Sequence, residues 1–198
     1  MYNRCVKKKN DELLLDLADE NDGYVSAATA RENGIAAAYL SSMCESGIFV
    51  RVGKGLYRKR GYEADPFFEL RFRYAKAVFS LDSCLYLHGL TPALALSVNL
   101  PANYLTKGIE GANCRHVGEK EYLTGQSLVV TPKGNLVMAY DLERAMIDLL
   151  RAHGRYSKEE FITLWNEGKK KSPYPAKLAR YAQAFHVEGE LSLVEQLL

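Results

Sequence analysis

The chain has 198 residues, of which 47% are hydrophobic and 25% are charged, and its formal net charge is +2. These averages are typical of a soluble globular protein and exclude a disordered chain. No run approaches the roughly 18 apolar residues of a membrane span, and the basic N-terminus lacks the apolar core of a secretion signal. We therefore expect a cytoplasmic protein.

Two helices are predicted at the front of the chain. The stretch "NDELLLDLADEND" places Leu13, Leu14 and Leu17 on one helical face, and Gly23 ends that helix. After a short extended segment, Ser26 is a suitable N-cap for the alanine-rich stretch "AATARENG". The second helix is therefore expected to follow closely on the first.

A third helix, "IAAAYLSSMCESG", follows a left-handed turn predicted at Asn33-Gly34. Its inner face carries Ala36, Leu40 and Met43, so the second and third helices form a helix-turn-helix unit. The outer face and its flank offer small side chains and one tyrosine as candidate DNA contacts: Ala37, Ala38, Tyr39, Ser41 and Ser42. Without Arg, Asn or Gln there, we expect phosphate contacts and DNA shape to outweigh direct base readout.

The next stretch, "FVRVGKGLYRKR", predicts a β-hairpin whose turn is Gly53-Lys54-Gly55. A hairpin directly after a helix-turn-helix unit is the wing of a winged helix. Residues 36–62 hold five basic side chains and one acid, Glu45. The basic residues are the main candidate DNA contacts: Arg51, Lys54, Arg58, Lys59 and Arg60. A basic ribbon beside a groove-binding helix favours duplex DNA as the partner.

The composition changes after this hairpin. Asp65 and Pro66 begin a helix in "EADPFFELRFRYAKAVF", and Ser80 is expected to cap the next one. Short β-prone runs then alternate with helical stretches, and their connections are too short for repeated crossover units. We predict an α+β protein, with a winged helix-turn-helix domain over residues 1–62 and a larger mixed α+β domain over residues 63–198.

Two motifs in the second region are shared with a known family. "SLDSCLYLHGL" (Ser80–Leu90), followed by Val98–Pro101, and Gly134–Leu150 with "YDLERAMIDLL" follow one another in the family's order. Together with the winged helix, they resemble the AbiEi-type antitoxins of type IV toxin-antitoxin systems, which act in abortive infection of phage-infected bacteria. Cys84 and Ala145 replace the Ala and Thr common in the family, and both are small.

The resemblance implies a protein with two roles. The winged helix would bind inverted repeats upstream of its own operon and repress transcription. The second domain would counteract a nucleotidyltransferase toxin, and a stable complex with that toxin would not be required. We also expect that the chain is not an enzyme, because the sequence lacks the catalytic signatures considered below.

Several residues of the second region have both a functional and a structural interpretation. Arg144 and Asp148 are four residues apart on one helix, capped by Asp141, so an ion pair is expected. His88 is placed to contact the last carbonyl groups of its helix. The basic run Lys169, Lys170 and Lys171 is a solvated face or a second nucleic-acid contact. The candidates for the antitoxin role are the ion pair and the basic run: Arg144, Asp148, Lys169, Lys170 and Lys171.

Enzyme signatures are missing from the sequence. The phosphate-binding loop, the zinc-protease motif, the nucleophile elbow and the dinucleotide fingerprint do not occur. Four scattered histidines and four scattered cysteines do not suggest a metal site or another cofactor. Two alternatives stay open: a winged-helix regulator whose second domain binds a ligand or partner without any toxin, and a module whose wing contacts RNA.

Overall fold

The computed structural model describes the backbone of residues 2–172 and 174–198 and the side chains of residues 9–172 and 174–198. The chain forms two compact units. One holds the chain up to Ala75 together with Thr131–Asn135, and the other holds Lys76–Val130 and Leu136–Leu198. The functional division between residues 1–62 and 63–198 stays a prediction. Within the described residues, no helix has the length and apolar character needed to cross a bilayer.

The first unit is a winged helix-turn-helix, as predicted. Its three-stranded sheet has the order β1-β3-β2, and both strand pairs are antiparallel. In chain order its elements are α1 (Tyr2–Asp19), β1 (Tyr24–Ser26), α2 (Ala27–Glu32), α3 (Ala37–Glu45), β2 (Phe49–Gly53), β3 (Leu56–Lys59) and α4 (Pro66–Arg73).

Local sequence signals account for the boundaries of α2. The Ser26 hydroxyl accepts a hydrogen bond from the Thr29 backbone amide at 2.9 Å, which satisfies one of the free donors at the helix start. Gly34 has φ +75°, a left-handed conformation that glycine adopts without steric cost, and it ends the turn after α2. The predicted cap and stop are both confirmed.

The core of the first unit lies where the three helices meet one face of the sheet. Leu14, Leu40, Met43 and Phe49 are at most 2% exposed and form its centre. Ala36, which was expected on the inner face of α3, is exposed at the start of the helix, and the neighbouring Ile35 is buried instead. The larger side chain fills the core, so the inner face begins one residue earlier than predicted.

The other face of the sheet is covered by α4. Asp65 caps this helix by accepting hydrogen bonds from the Phe67 and Phe68 amides, and Pro66 occupies the first helical position, as predicted. The Tyr24 hydroxyl of β1 accepts a hydrogen bond from the Asp65 amide at 2.8 Å and donates one to Glu69 at 2.9 Å. The wing is therefore packed on both of its faces.

The second unit combines a five-stranded mixed sheet with helices. In chain order its elements are β4 (Val78–Phe79), α5 (Leu81–Leu87), β5 (Ser97–Pro101), β6 (Asn113–Val117), α6 (Glu119–Leu123), β7 (Gln126–Val130), β8 (Leu136–Tyr140), α7 (Leu142–Arg151), a 3₁₀ turn (His153–Arg155), α8 (Lys158–Lys171), α9 (Pro175–Phe185) and α10 (Glu188–Leu197). The strand order is β6-β5-β4-β8-β7. Strand β4 runs parallel to β8 and β5 parallel to β6, whereas the other neighbours are antiparallel.

Helix α7 lies at the centre of the second unit rather than at its surface. Every residue from Glu143 to Leu150 is buried, because α5, α8 and α9 all pack against this helix. Met146, Ile147 and Leu149 join Trp165 of α8 in the main core. A helix buried on all sides must pair its charged groups internally.

Two boundaries in the second region differ from the predictions. The helix predicted in "EADPFFELRFRYAKAVF" ends at Arg73, and Val78–Phe79 instead form β4, where Phe79 pairs with Val98 and Ala139. Ser80 precedes α5 but makes no cap hydrogen bond; its hydroxyl donates to Asn99 at 3.3 Å. In both cases a partner distant in the sequence replaces the local interaction.

Candidate nucleic-acid interface

The outer face of α3 is formed by small side chains. Ala38, Ser41 and Ser42 are exposed, as predicted. The Ser42 hydroxyl donates to the Tyr39 carbonyl at 2.8 Å, and the Ser41 hydroxyl lies 3.5 Å from the Tyr57 hydroxyl. Both oxygens keep lone pairs that can accept hydrogen bonds from a base edge. The small side chains allow this face to approach a groove closely, except at the end of α3, where Glu45 is exposed.

Two flanking residues of α3 are turned toward the protein instead. Ala37 and Tyr39 are half-buried and pack against the core of the unit. The Tyr39 hydroxyl donates to the Asp11 carboxylate of α1 at 2.8 Å, and burial together with this carboxylate raises the pKa of Tyr39 to about 12. In this structure Tyr39 therefore fixes α3 against α1.

The wing is the predicted hairpin, β2–β3, but Gly53 is the last residue of β2, so the turn consists of Lys54 and Gly55 and not of the three residues predicted. Phe49 pairs with Lys59 and Arg51 with Tyr57, and a register shift lies between Arg51 and Gly53. Gly55 has φ +78° in the turn, where a side chain would be strained. The hairpin carries Lys54 at its exposed tip.

Three wing cations are exposed. Among the described residues, no carboxylate forms an ion pair with Arg51, Lys54 or Arg60, which all lie at the surface. Arg51 lies on the α3 side of the wing: burial raises the pKa of Cys44 in α3, and the positive charge of Arg51 opposes that rise. An unpaired cation therefore lies near Cys44, a half-buried residue of α3.

The other two wing cations are paired within the unit. Arg58 donates to Glu69 of α4 at 3.0 Å, and Lys59 donates to Asp19 of α1 at 2.6 Å. The Lys59 ammonium group lowers the pKa of Asp19 through this hydrogen bond. Arg58 and Lys59 thus connect the wing to α4 and α1, and their charges are already balanced.

Arg73, at the end of α4, was not among the predicted contacts. A Cβ atom built on Gly53 would lie 3.4 Å from Cγ of Arg73, so the stem of this exposed arginine passes directly over the wing. Gly53 and Arg73 are twenty residues apart in the sequence, and only the packing of α4 on β2 brings them together. The sequence therefore did not predict this contact. The unpaired basic surface is therefore defined as Arg51, Lys54, Arg60 and Arg73.

Part of the first unit is similar in sequence to a known protein family. Residues 12–58 match the family model described as transcriptional regulator, AbiEi antitoxin. The match covers the helix-turn-helix unit and nearly all of the wing, and it confirms the resemblance over this AbiEi segment (residues 12–58). No match to a curated protein was found for the chain.

Outside the AbiEi segment, the antitoxin candidates of α7 form a buried ion pair. Arg144 Nε donates to Asp148 Oδ1 at 3.1 Å, which confirms the predicted pairing. The guanidinium group is fully buried and lies between the rings of Tyr140 and Phe185, 4.3 and 4.0 Å from their centroids. It also donates to the carbonyl oxygens of Glu121 and Thr124 at 3.0 and 2.8 Å. Arg144 therefore fixes α7 to the loop after α6.

The three lysines at the end of α8 are each occupied within the second unit. Lys169 pairs with Glu195 and Lys170 with Glu167, both at 2.6 Å. Lys171 donates to the carbonyl oxygens of His88 and Gly89 at 3.0 and 2.6 Å and so caps α5. These contacts favour the structural interpretation of the run over a second nucleic-acid surface.

His88 also makes a different contact from the predicted one. Its Nε2 lies 2.9 Å from the carbonyl oxygen of Tyr140 at the end of β8, not against the last carbonyl groups of its own helix. The carbonyls of Cys84, Leu85 and Tyr86 accept from the backbone amides of His88, Leu90 and Gly89, and Lys171 donates to the two carbonyls that follow the helix. The imidazole thus links α5 to the central sheet.

Proposed function

We propose that this protein is a DNA-binding antitoxin that represses its own operon. The winged helix binds duplex DNA at inverted repeats upstream of that operon, and the second domain counteracts a nucleotidyltransferase toxin without a stable complex. The observation that carries the DNA-binding part is the set of exposed, unpaired cations on and next to a wing whose residues up to Arg58 match a family of transcriptional regulators.

The charge distribution supports phosphate contacts from the wing. Arg51, Lys54, Arg60 and Arg73 are exposed, whereas Arg58 and Lys59 are held by carboxylates of the same unit. Each phosphate neutralised releases condensed counterions and adds about 0.9 to the slope of log K against log salt. A single copy using all four cations has a slope of about −3 to −4.

The shape of α3 supports close approach to the major groove. Ala38 can contact a thymine methyl group, and the hydroxyls of Ser41 and Ser42 can accept from adenine or cytosine amino groups. These contacts discriminate weakly between bases, because each lacks the bidentate geometry of Arg or Asn. Sequence preference therefore depends on DNA shape and on two copies binding both halves of an inverted repeat.

The toxin-related part of the proposal rests on the motifs of the second region. Ser80–Leu90 and Gly134–Leu150 resemble the antitoxin pattern, and they lie outside the segment matched by the family model. In the structure these motifs build α5 and α7, which pack on each other in the second unit. The second unit is thus a candidate for the neutralising activity.

Fluorescence anisotropy of the full chain tests the DNA-binding part. The upstream DNA of its own gene is compared with a scrambled duplex and with duplex RNA of the same sequence, across a salt series. We expect salt-dependent binding with a preference for the upstream DNA. Equal binding to scrambled DNA would refute operator recognition, and a preference for RNA would favour the RNA alternative.

Co-expression tests the toxin-related part separately. If a neighbouring gene encodes a nucleotidyltransferase, its induced expression is expected to stop growth, and co-expression of this chain is expected to restore it. The chain and the toxin are not expected to co-purify. Growth arrest without rescue would leave a winged-helix regulator whose second domain binds a ligand or partner.

A further inference from the structure

A polar cavity of about 180 Å³ lies within the second unit, between α5, β5, β6 and the end of α7. Its inner wall is built from buried polar side chains, of which Ser80, Ser97 and Asn99 are at most 5% exposed. Its rim is basic and carries Arg115, Arg151 and Arg155. Buried polar groups around an open volume distinguish a binding site from a packing defect, since natural voids are lined by apolar atoms.

Asp148 lines this cavity, and among the described residues one of its carboxylate oxygens has no hydrogen-bond partner. Asp148 is 7% exposed, and its Oδ1 accepts hydrogen bonds from Arg144 at 3.1 Å and from Arg151 at 3.4 Å. Within the described residues, its Oδ2 is buried and accepts no hydrogen bond. A buried oxygen in this state is unfavourable unless a donor reaches it. A ligand hydroxyl or amine entering the cavity would supply that donor.

A strained residue forms part of the same wall. Leu81 has φ +38°, a conformation that branched and bulky side chains rarely adopt. It lies between Ser80, which lines the cavity, and Asp82, which accepts hydrogen bonds from Ser97 and Tyr156 at 2.9 and 2.8 Å. Backbone strain of this kind is concentrated at functional sites, where it positions neighbouring groups.

The rim arginines retain donors for an anion. Arg155 uses one terminal nitrogen for Asp82 at 3.1 Å, and Arg151 uses one for Glu121 at 2.8 Å. Arg115 is 64% exposed and lies 3.6 Å from the same glutamate. Each guanidinium group has five N–H donors in a planar fork, so several remain for a phosphate oxygen pair. Asp82, Glu121 and Asp148 balance the charges of the three arginines, so an anion is attracted through the remaining N–H donors and not through an excess of positive charge.

We propose that this cavity binds a phosphorylated sugar, with the phosphate group at the rim arginines and a sugar hydroxyl donating to Oδ2 of Asp148. Carboxylates accept ribose hydroxyls in the same way in dinucleotide sites. Pockets that enclose whole ligands span about 300–1,000 Å³, so this smaller volume encloses the sugar phosphate and leaves any nucleobase outside. The source is a free sugar phosphate or the ribose phosphate of a nucleotide.

Isothermal titration calorimetry of the full chain without DNA tests this proposal. The probes are ribose 5-phosphate, AMP, adenosine and inorganic phosphate. We expect saturable one-site binding of ribose 5-phosphate and AMP, and at least tenfold weaker binding of adenosine and phosphate. Equal affinity for the first two probes identifies the sugar phosphate as the ligand, whereas tighter binding of AMP identifies a nucleotide.

Three variants locate the site. Arg155→Gln removes a half-exposed rim cation, and Asp148→Asn replaces the unpaired acceptor with a donor. Both are expected to weaken binding at least tenfold, whereas Arg180→Gln, an exposed arginine on α9, is expected to change it less than twofold. If Asp148→Asn fails to fold, Asn113→Trp at the exposed edge of the cavity blocks entry without changing charge.

Two results would overturn the proposal. One is the absence of saturable binding for all four probes. The other is binding that Arg155→Gln and Asn113→Trp leave unchanged. Because DNA and toxin are absent from this experiment, its outcome is independent of the proposed repressor and antitoxin activities.

Discussion

Arg58 donates a hydrogen bond from Nη1 to Oε1 of Glu69 at 3.0 Å, although it lies in the basic wing. The same glutamate accepts from the Tyr24 hydroxyl at 2.9 Å, so one carboxylate joins β3, β1 and α4. Arg58 is only 18% exposed in its side chain. Position in a basic run therefore does not by itself make an arginine available to DNA.

The wing cations are expected to separate into two classes. Arg51→Ala and Lys54→Ala, combined, reduce the salt slope of DNA binding by about two, because two phosphate contacts are lost. Arg58→Ala leaves the slope unchanged and lowers the thermal stability of the first unit. Fluorescence anisotropy at four salt concentrations measures the salt slope of DNA binding for both variants. If Arg58→Ala reduced the salt slope by the same amount per residue, the ion pair between Arg58 and Glu69 would have to break when the protein binds DNA.

Tyr24→Phe is expected to change the alkaline stability of the protein. Burial raises the pKa of Tyr24 to about 12, whereas an unfolded tyrosine titrates near 10. A group whose folded pKa is raised contributes its stability fully below the unfolded value and loses it as the pH rises toward the folded value. The wild-type advantage over Tyr24→Phe is therefore constant up to about pH 10 and disappears between about pH 10 and 12.

Urea unfolding at pH 8, 10 and 11.5 measures this difference. Tyr24→Phe also loses the hydrogen bonds to Asp65 and Glu69, which costs about 1–3 kcal/mol at pH 8. An advantage of the wild type that stays constant up to pH 11.5 would contradict the assignment of the raised pKa to Tyr24.

Gly125→Ala is expected to destabilise the second unit. Gly125 has φ +86°, and a Cβ atom there would lie 2.7 Å from Cβ of the buried Arg144. Left-handed strain alone costs about 1–2 kcal/mol, and the contact adds to it. Gly118→Ala is the matched control, because its φ is −63° and the position is open. Chemical unfolding is expected to show a loss of more than about 2 kcal/mol for the first variant and none for the second.

Lys171→Ala and Lys170→Ala distinguish the two interpretations of the basic run. Lys171 caps α5 through two carbonyl oxygens, so its loss is expected to cost about 0.5–1.5 kcal/mol. Lys170 forms an exposed pair with Glu167, so its loss costs less than about 0.5 kcal/mol. Neither variant is expected to change DNA affinity. A weaker affinity for both would instead favour the second nucleic-acid surface.

Arg144→Met tests the buried pair of α7. Removing this arginine leaves Asp148 buried without its closest cation, which costs about 3–5 kcal/mol. Burial already raises the pKa of Asp148, so the protonated carboxyl group becomes the main form in the variant. Arg144→Met combined with Asp148→Leu is expected to recover part of the lost stability. Equal stabilities of the single and double variants would show that the two side chains do not interact.

The winged helix could be predicted well because its signals are local. Ser26 caps its helix through a neighbour three residues away, and Gly55 turns a hairpin whose strands adjoin it. Short-range signals of this kind need no knowledge of the rest of the chain. The ion pair of Arg144 and Asp148 was predicted for the same reason, since both lie on one helix.

The features that the sequence did not predict concern residues whose partners are distant in the sequence. Val78 and Phe79 became a strand because β5 and β8 flank them, and Lys171 became a cap because α8 ends beside His88 and Gly89. The availability of each wing cation also depended on such partners, since Glu69 and Asp19 hold Arg58 and Lys59. The local sequence pattern does not indicate these contacts.

The sequence alone determined the winged helix, the basic hairpin and the family resemblance, because capping, turn formation and charge are properties of neighbouring residues. Only the tertiary structure decided which cations stay unpaired, and it alone placed Arg73 over Gly53 and enclosed Asp148 in a polar cavity. The physical reason is that hydrogen bonds and ion pairs act over a few ångströms. Folding decides which distant residues come within that range.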